Sequence, residues 1–299
     1  MDSAATPTTT TAAAADSVRP AVGCFLLAIL LFAGMDTLIK QLSAGYPVAQ
    51  LMFVRSATAL ALVGGVAMAR DGWGALRTRR PLGHVWRAFA GLLSMGCYFY
   101  AFKHLPLAEV YVLSFAGPLF ITALSMPLLG EAVGWRRWTA VLAGFAGVVV
   151  MARPDAGVPS LPVLVGLAAA FFYALAMIAV RGLSRTESNG VIVTYLLLTT
   201  TVVSGVAAVP VWLAPGPTDL GLMLAVGVLG AGGQVLITQA FRLGPAVVVA
   251  PFEYTGMIWA TLFGFLVFGE VPTPAALTGA GIIIASGLYI LHREAARRG

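Results

Sequence analysis

Three acidic residues stand inside or at the mouth of long apolar stretches: Asp36, Glu109 and Glu253. A charge at membrane depth is costly, so such a group is a candidate for binding a solute, an ion or a proton. Glu253 lies in Ala250-Pro-Phe-Glu-Tyr254. Pro251 there removes a helix hydrogen bond and frees a carbonyl, which suits a solute or proton site. The bland alternative is a carboxyl bonded to a neighbouring helix. Asp36 precedes Lys40 by four residues, a spacing that allows a local ion pair. Glu109 opens a helix, where a carboxylate complements the dipole, so a structural role is favoured. Arg55 either reaches outer water or pairs with Asp36, and a structural pair is favoured.

The polar aromatic residues form a second set. Tyr98, Tyr111, Tyr173 and Tyr254 each offer a flat apolar ring and a hydroxyl that seeks a partner. An interfacial belt is the competing explanation, strongest for Tyr100 and Tyr111. Trp259, Ser114 and Gln234 complete the candidate solute-binding group, with Gln239 a weaker member. Gly227, Gly230, Gly232 and Gly233 let helices approach closely around Gln234. Pro118 and Pro251 interrupt helices and are assigned to gating or coupling together with Asp36 and Glu109.

Catalysis finds little support. His84, His104 and His292 fall at or beyond helix ends, and no metal-ligand spacing or activated nucleophile accompanies them. HExxH, GxSxG and GxxxxGK[ST] motifs are absent from the sequence. No cofactor or metal is expected. Cys24 and Cys97 sit in apolar runs as small core residues. A membrane-embedded enzyme is the remote alternative to a carrier.

The elements that must position these residues are membrane helices. Apolar residues make up 59% of the 299 and charged residues 10%, too few charges to cover a water-soluble protein of this size. Apolar runs of about 20 residues recur, each long enough to cross a bilayer. The expected spans are Ala21–Ile39, Pro47–Ala69, Val85–Phe102, Ala108–Leu129, Trp138–Ala152, Leu161–Val180, Val191–Trp212, Leu220–Phe241, Ala246–Phe268 and Ala275–Leu291. Residues 1–20 form a polar tract without the basic start of a signal peptide and read as a disordered tail. With both termini in the cytoplasm, inner segments hold 14 of the 18 basic residues, Arg87 and the Arg77–Arg80 cluster among them. The basic excess is therefore a topology signal and excludes a nucleic-acid partner.

A duplication runs through the chain. Lys103-His-Leu-Pro106, a helix and Gly130-Glu131 return as Arg242-Leu-Gly-Pro245, a helix and Gly269-Glu270, 139 residues later. The same offset pairs Gly91 with Gly230, Gly117 with Gly256 and Ser114 with Glu253. Near the starts of the halves it drifts to 141, pairing Lys40 with Arg181. Five helices per half force the second copy to run upside down. Inverted repeats with a site at their interface are a transporter architecture. Glu131 and Glu270 read as loop-capping or gate groups.

Leu105-Pro-Leu-Ala-Glu109, Pro118, Leu129-Gly-Glu131 with Trp135, and Gly269-Glu270 give the chain its resemblance to the ten-helix EamA-type branch of the drug/metabolite transporter superfamily. The resemblance implies an all-α integral membrane protein with ten transmembrane helices, arranged as two inverted five-helix repeats around a central cavity. Residues 21–154 and 155–292 would be the repeats, with a basic cytoplasmic tail at 293–299. It implies a bacterial inner-membrane secondary transporter of small organic metabolites, nearest to aromatic amino acid exporters. Carriers of nucleotide-like, vitamin-like or drug-like solutes are the alternative. The expected partners are the solute and membrane lipid, and a monomer is compatible with the pattern.

Overall fold

A computed structural model describes residues 9–66, 72, 77–129, 135–152, 159–184, 186–243 and 250–298. These residues are overwhelmingly helical, and no strand occurs among them. The helices are α1 (Thr9–Ser43), α2 (Val48–Ala59), α3 (Pro81–His104), α4a (Leu107–Ser114) and α4b (Gly117–Leu129). They continue with α5 (Trp135–Ala152), α6 (Leu161–Leu183), α7 (Asn189–Ala208), α8 (Pro217–Leu243), α9 (Gly256–Phe268) and α10 (Pro274–Arg298). Five segments are long and apolar enough to cross a membrane, α4a with most of α4b among them, and shorter apolar helices accompany them. Large apolar side chains such as Val202, Val206 and Val209 point outward, as lipid-facing residues do.

The pairing of helices is specific. α1 packs along α8, and α3 along α6. α5 packs on α10, and α2 on α7. α4b leans on α6 while α9 leans on α1, and α4a touches α9. α5 and α10 approach so closely that a Cβ on Gly147 would stand 2.9 Å from the Gly279 carbonyl oxygen, and one on Gly279 2.6 Å from that of Gly147. Small residues allow this contact, since packing and not water exclusion drives helix association in lipid.

Several elements depart from the sequence-based expectation. α1 begins at Thr9, so the tail expected to be disordered through residue 20 is helical from that point. Ala12–Ala15 favour helix whether or not they are apolar enough for lipid. α3 begins at Pro81, where proline suits the first helical turn, and not at Val85. This extra turn carries His84 into the helix, and the helix buries both His84 and Arg87, leaving them 2% and 8% exposed. Arg87, counted among the inner basic residues, is thus a buried group. The fourth span is not continuous: it breaks at Phe115–Ala116. Pro118 has no N–H to give the Ser114 carbonyl, and its ring crowds that carbonyl. The ninth starts as a 3₁₀ segment, Ala250–Thr255, before α9. Gly117 and Gly256, 139 residues apart, each open the straight helix after the break.

Candidate functional site

The two broken spans face each other, and their breaks carry much of the candidate group. Glu253 lies in the 3₁₀ segment. It has open surface although protein surrounds it, the situation of a group lining an internal space. Its carboxylate has no hydrogen-bond partner among the described residues. Tyr98 on α3, Tyr173 on α6 and Tyr254 beside it all lie within its electrostatic reach. Tyr98 also feels Asp36, so both carboxylates act on it.

Asp36 on α1 accepts a hydrogen bond from the Tyr111 hydroxyl at 2.8 Å. Tyr111 is therefore an inward partner of a carboxylate and not a belt residue. Its ring fits against Gly256, where a Cβ would meet Cε1 at 2.8 Å. Gly117 receives the Tyr173 ring in the same manner, 3.1 Å from such a Cβ to Cδ1. Both glycines that open the post-break helices thus make room for a tyrosine of the site. The Tyr254 ring meets Phe115 edge-on at 5.0 Å, and its hydroxyl lies against Gly287 of α10.

The remaining candidates are more scattered. Ser114 turns its hydroxyl back to the Tyr111 carbonyl at 2.7 Å. Gln234 is exposed on α8, and its side-chain amide has no partner among the described residues. Trp259 is not brought to the tyrosines. It packs with Phe25, Ile29 and Ala240 in a side cluster and stacks on Phe263 at 6.2 Å. Glu109 occupies the first turn of α4a, half-buried, where it complements the dipole. Pro118 is the second residue of α4b, and Pro251 belongs to the 3₁₀ segment. Glu131 lies outside the described residues.

Two expected ion pairs are replaced by other contacts. Lys40 does not turn back to Asp36. Its ammonium pairs with Glu270 at 2.8 Å and donates to the Leu105 carbonyl. The other Glu270 oxygen accepts the Leu107 N–H at 2.9 Å, capping α4a. A residue one turn along α1 competes poorly here, because Glu270 also satisfies an orphan helix N–H. Arg55 makes no ion-pair contact with Asp36, although each charge is felt by the other. Its guanidinium instead meets the sulphurs of Met35 at 3.4 Å and Met95 at 2.8 Å.

The Lys40 end carries two more ties between the halves. Tyr46 donates to Asp219 at 2.6 Å. Gln50 holds the Leu213 backbone in both directions, donating at 2.7 Å and accepting at 3.0 Å. At the opposite end Glu187 accepts the Arg79 N–H at 2.8 Å and the Thr78 hydroxyl at 3.1 Å. The Arg79 N–H, helped by Thr78 and nearby positive groups, holds the Glu187 carboxyl below its usual range. None of these ties was visible in the sequence, since each joins residues about a hundred or more positions apart and has no local pattern.

An apolar helical bundle with carboxylates and tyrosines among its helices is that of a multi-pass membrane protein. The model of the EamA-like transporter family matches the chain twice, over residues 19–153 and 160–291, and the chain belongs to that family. It is a member of the drug/metabolite transporter superfamily. It is similar to the pseudopaline exporter CntI of Pseudomonas aeruginosa, 32% identical over 290 residues, 93% of this chain and 98% of that one. An S-adenosylmethionine uptake transporter of Rickettsia bellii is 29% identical over 91% of this chain and 94% of its own length. A riboflavin transporter of Vibrio cholerae is 34% identical over 73% and 74%. A solved crystal structure shares the fold at a TM-score of 0.62 and 22% identity, covering 93% of this chain and 98% of that one.

Proposed function

We propose that this protein is a secondary transporter that exports an amino-acid-type metabolite across the bacterial inner membrane by alternating access. The observation that carries this is Glu253: a carboxylate in the 3₁₀ segment with no hydrogen-bond partner among the described residues, and with Tyr98, Tyr173 and Tyr254 within its electrostatic reach. A carboxylate so placed receives an ammonium group or a proton, and the rings receive a flat or apolar body. Aromatic amino acids fit, and so do larger metabolites that contain an amino-acid unit, as S-adenosylmethionine does. Relatives named for pseudopaline and S-adenosylmethionine support the wider class. The same reading takes the helices as ten crossings in two inverted repeats, an architecture that suits alternating access. Exchanging the first five spans for the last five maps α1–α8 onto α6–α3 and α4b–α6 onto α9–α1, so the observed pairings form a two-fold pattern. The Lys40 end is the external one by the distribution of Lys and Arg.

Counterflow of labelled solutes in proteoliposomes tests the assignment. Saturable exchange of amino-acid-type solutes is the expected result, while flux that never saturates marks a channel. Imposed gradients in either sense read the direction. Reporters fused after Arg298 and within residues 153–160 should read as cytoplasmic and external, and reversal of either sinks the topology.

A further inference from the structure

Two guanidinium groups lie inside the bundle, and each rests against one glycine of a repeat-related pair. A Cβ on Gly230 would stand 3.5 Å from Arg55 Nε, and one on Gly91 3.0 Å from Arg87 Nη1. The Gly91 niche also admits Leu196, which matches Arg55 at the 141-residue offset. One half therefore places an arginine where the other places a leucine. Duplication alone would keep the apolar residue, because a charge at this depth carries a large desolvation cost.

The surroundings of Arg55 do not meet that cost. Nε and Nη1 reach only thioether sulphurs, which are weak acceptors. Nη2 has no hydrogen-bond partner among the described residues. Asp36 is close enough to be felt but makes no ion-pair contact, and its Oδ2 is engaged by Tyr111. The side chain is half-buried and surrounded by protein, so the free edge of its fork keeps some open surface inside the bundle. A guanidinium presents parallel N–H groups that match a carboxylate, and such paired contacts are the strong ones.

We infer that Arg55 is the anchor for the carboxylate of the transported solute, with an acidic side chain of the same group, Asp36 or Glu253, receiving its ammonium group. This deepens the transporter assignment and rests on it for the word transported. The Met35 and Met95 sulphurs hold the fork in place without saturating it. Tyr98, which feels both carboxylates, supplies the surface for the body of the solute. A solute with both charges is then preferred over its decarboxylated amine. Gly230 is part of the anchor, since any side chain there would press on Met35 Sδ, 2.9 Å from the new Cβ.

The test uses the full chain in lipid nanodiscs and matched solute pairs: phenylalanine with phenethylamine, histidine with histamine, S-adenosylmethionine with its decarboxylated form. Phenylglyoxal labels arginine, and mass spectrometry follows the adduct at Arg55. A carboxylate-bearing member should slow the labelling of Arg55, and its amine partner should not. In proteoliposomes Arg55→Met should lower the preference for that carboxylate member by about tenfold or more, the scale of a charge-assisted hydrogen bond. Arg55→Lys, which keeps the charge but not the fork, should fall between the two. Equal labelling with every solute, or a wild-type preference retained in Arg55→Met, overturns the anchor. Selective protection without flux of any solute would keep the anchor and remove the transporter assignment. Saturable flux without protection would do the reverse.

Discussion

The fourth and ninth spans break at matched positions, yet their breaks do different chemistry. In α4a the position holds Ser114, whose hydroxyl turns back to Tyr111 of its own turn. In the 3₁₀ segment before α9 it holds Glu253, whose side chain has open surface and no hydrogen-bond partner among the described residues. Gly117 and Gly256 then start a straight helix and seat a tyrosine in both halves. The backbone device is common to the two halves, and the charge is not. On the proposed reading, one half serves as a hinge, and the other as a hinge with a ligand group. The arginine at Gly230 and the leucine at Gly91 repeat this lesson, with the charge now on the first half's residue.

The largest effect that would sharpen the contrast is Glu253→Gln. Transport should fall by about tenfold or more, as expected for a lost hydrogen bond to a charged group, while the protein still folds. Loss of pH-dependent flux would mark Glu253 as a proton carrier, and a selective loss for cationic or zwitterionic solutes would mark an ammonium ligand. A parental rate and pH profile for every solute would leave Glu253 a purely structural group.

Gly256→Ala should follow, with a several-fold loss of flux. Its Cβ would press on the Tyr111 ring at 2.8 Å and disturb the bond to Asp36. Gly117→Ala should be milder, because the Tyr173 ring is 3.1 Å away and must give only a few tenths of an ångström. Equal losses in the two variants would break the claim that the second break is tied more tightly to the charged site.

Glu270→Gln acts at the Lys40 end. The amide still accepts the Leu107 N–H, but the ion pair with Lys40 is lost. The pair is partly exposed, 12% and 24% for the two side chains, so a shift of about two- to fivefold is expected. It would appear as faster reaction of a cysteine at Tyr98 with polar thiol reagents added from that end. An unchanged rate would show that Tyr46–Asp219 and Gln50–Leu213 suffice to close it.

Ser114→Ala should change flux by less than about twofold, the range of substitutions away from buried networks and cores. A loss comparable to that of Glu253→Gln would show that both breaks bind solute.

Composition, apolar run length and the 139-residue offset determined much of this protein without coordinates. They set its membrane class and its family, singled out Glu253 as a candidate, and matched Gly117 with Gly256, which both open a helix after a break. Such features are legible because lipid demands long apolar helices and a duplication copies residues in order. Local spacing was a poor guide to charge pairing. Lys40 is four residues from Asp36 but binds Glu270, because the capped end of α4a offers an acceptor that is far away in sequence and adjacent in space. His84 read as a residue at a helix end until Pro81 extended α3 by a turn. Trp259 shares a span with Glu253 and still packs elsewhere, since the direction of a side chain around a helix depends on which neighbours crowd it. The thioether cradle of Arg55 joins α1, α2 and α3. Only the packing of three helices could decide that this guanidinium is held in place with one edge left open.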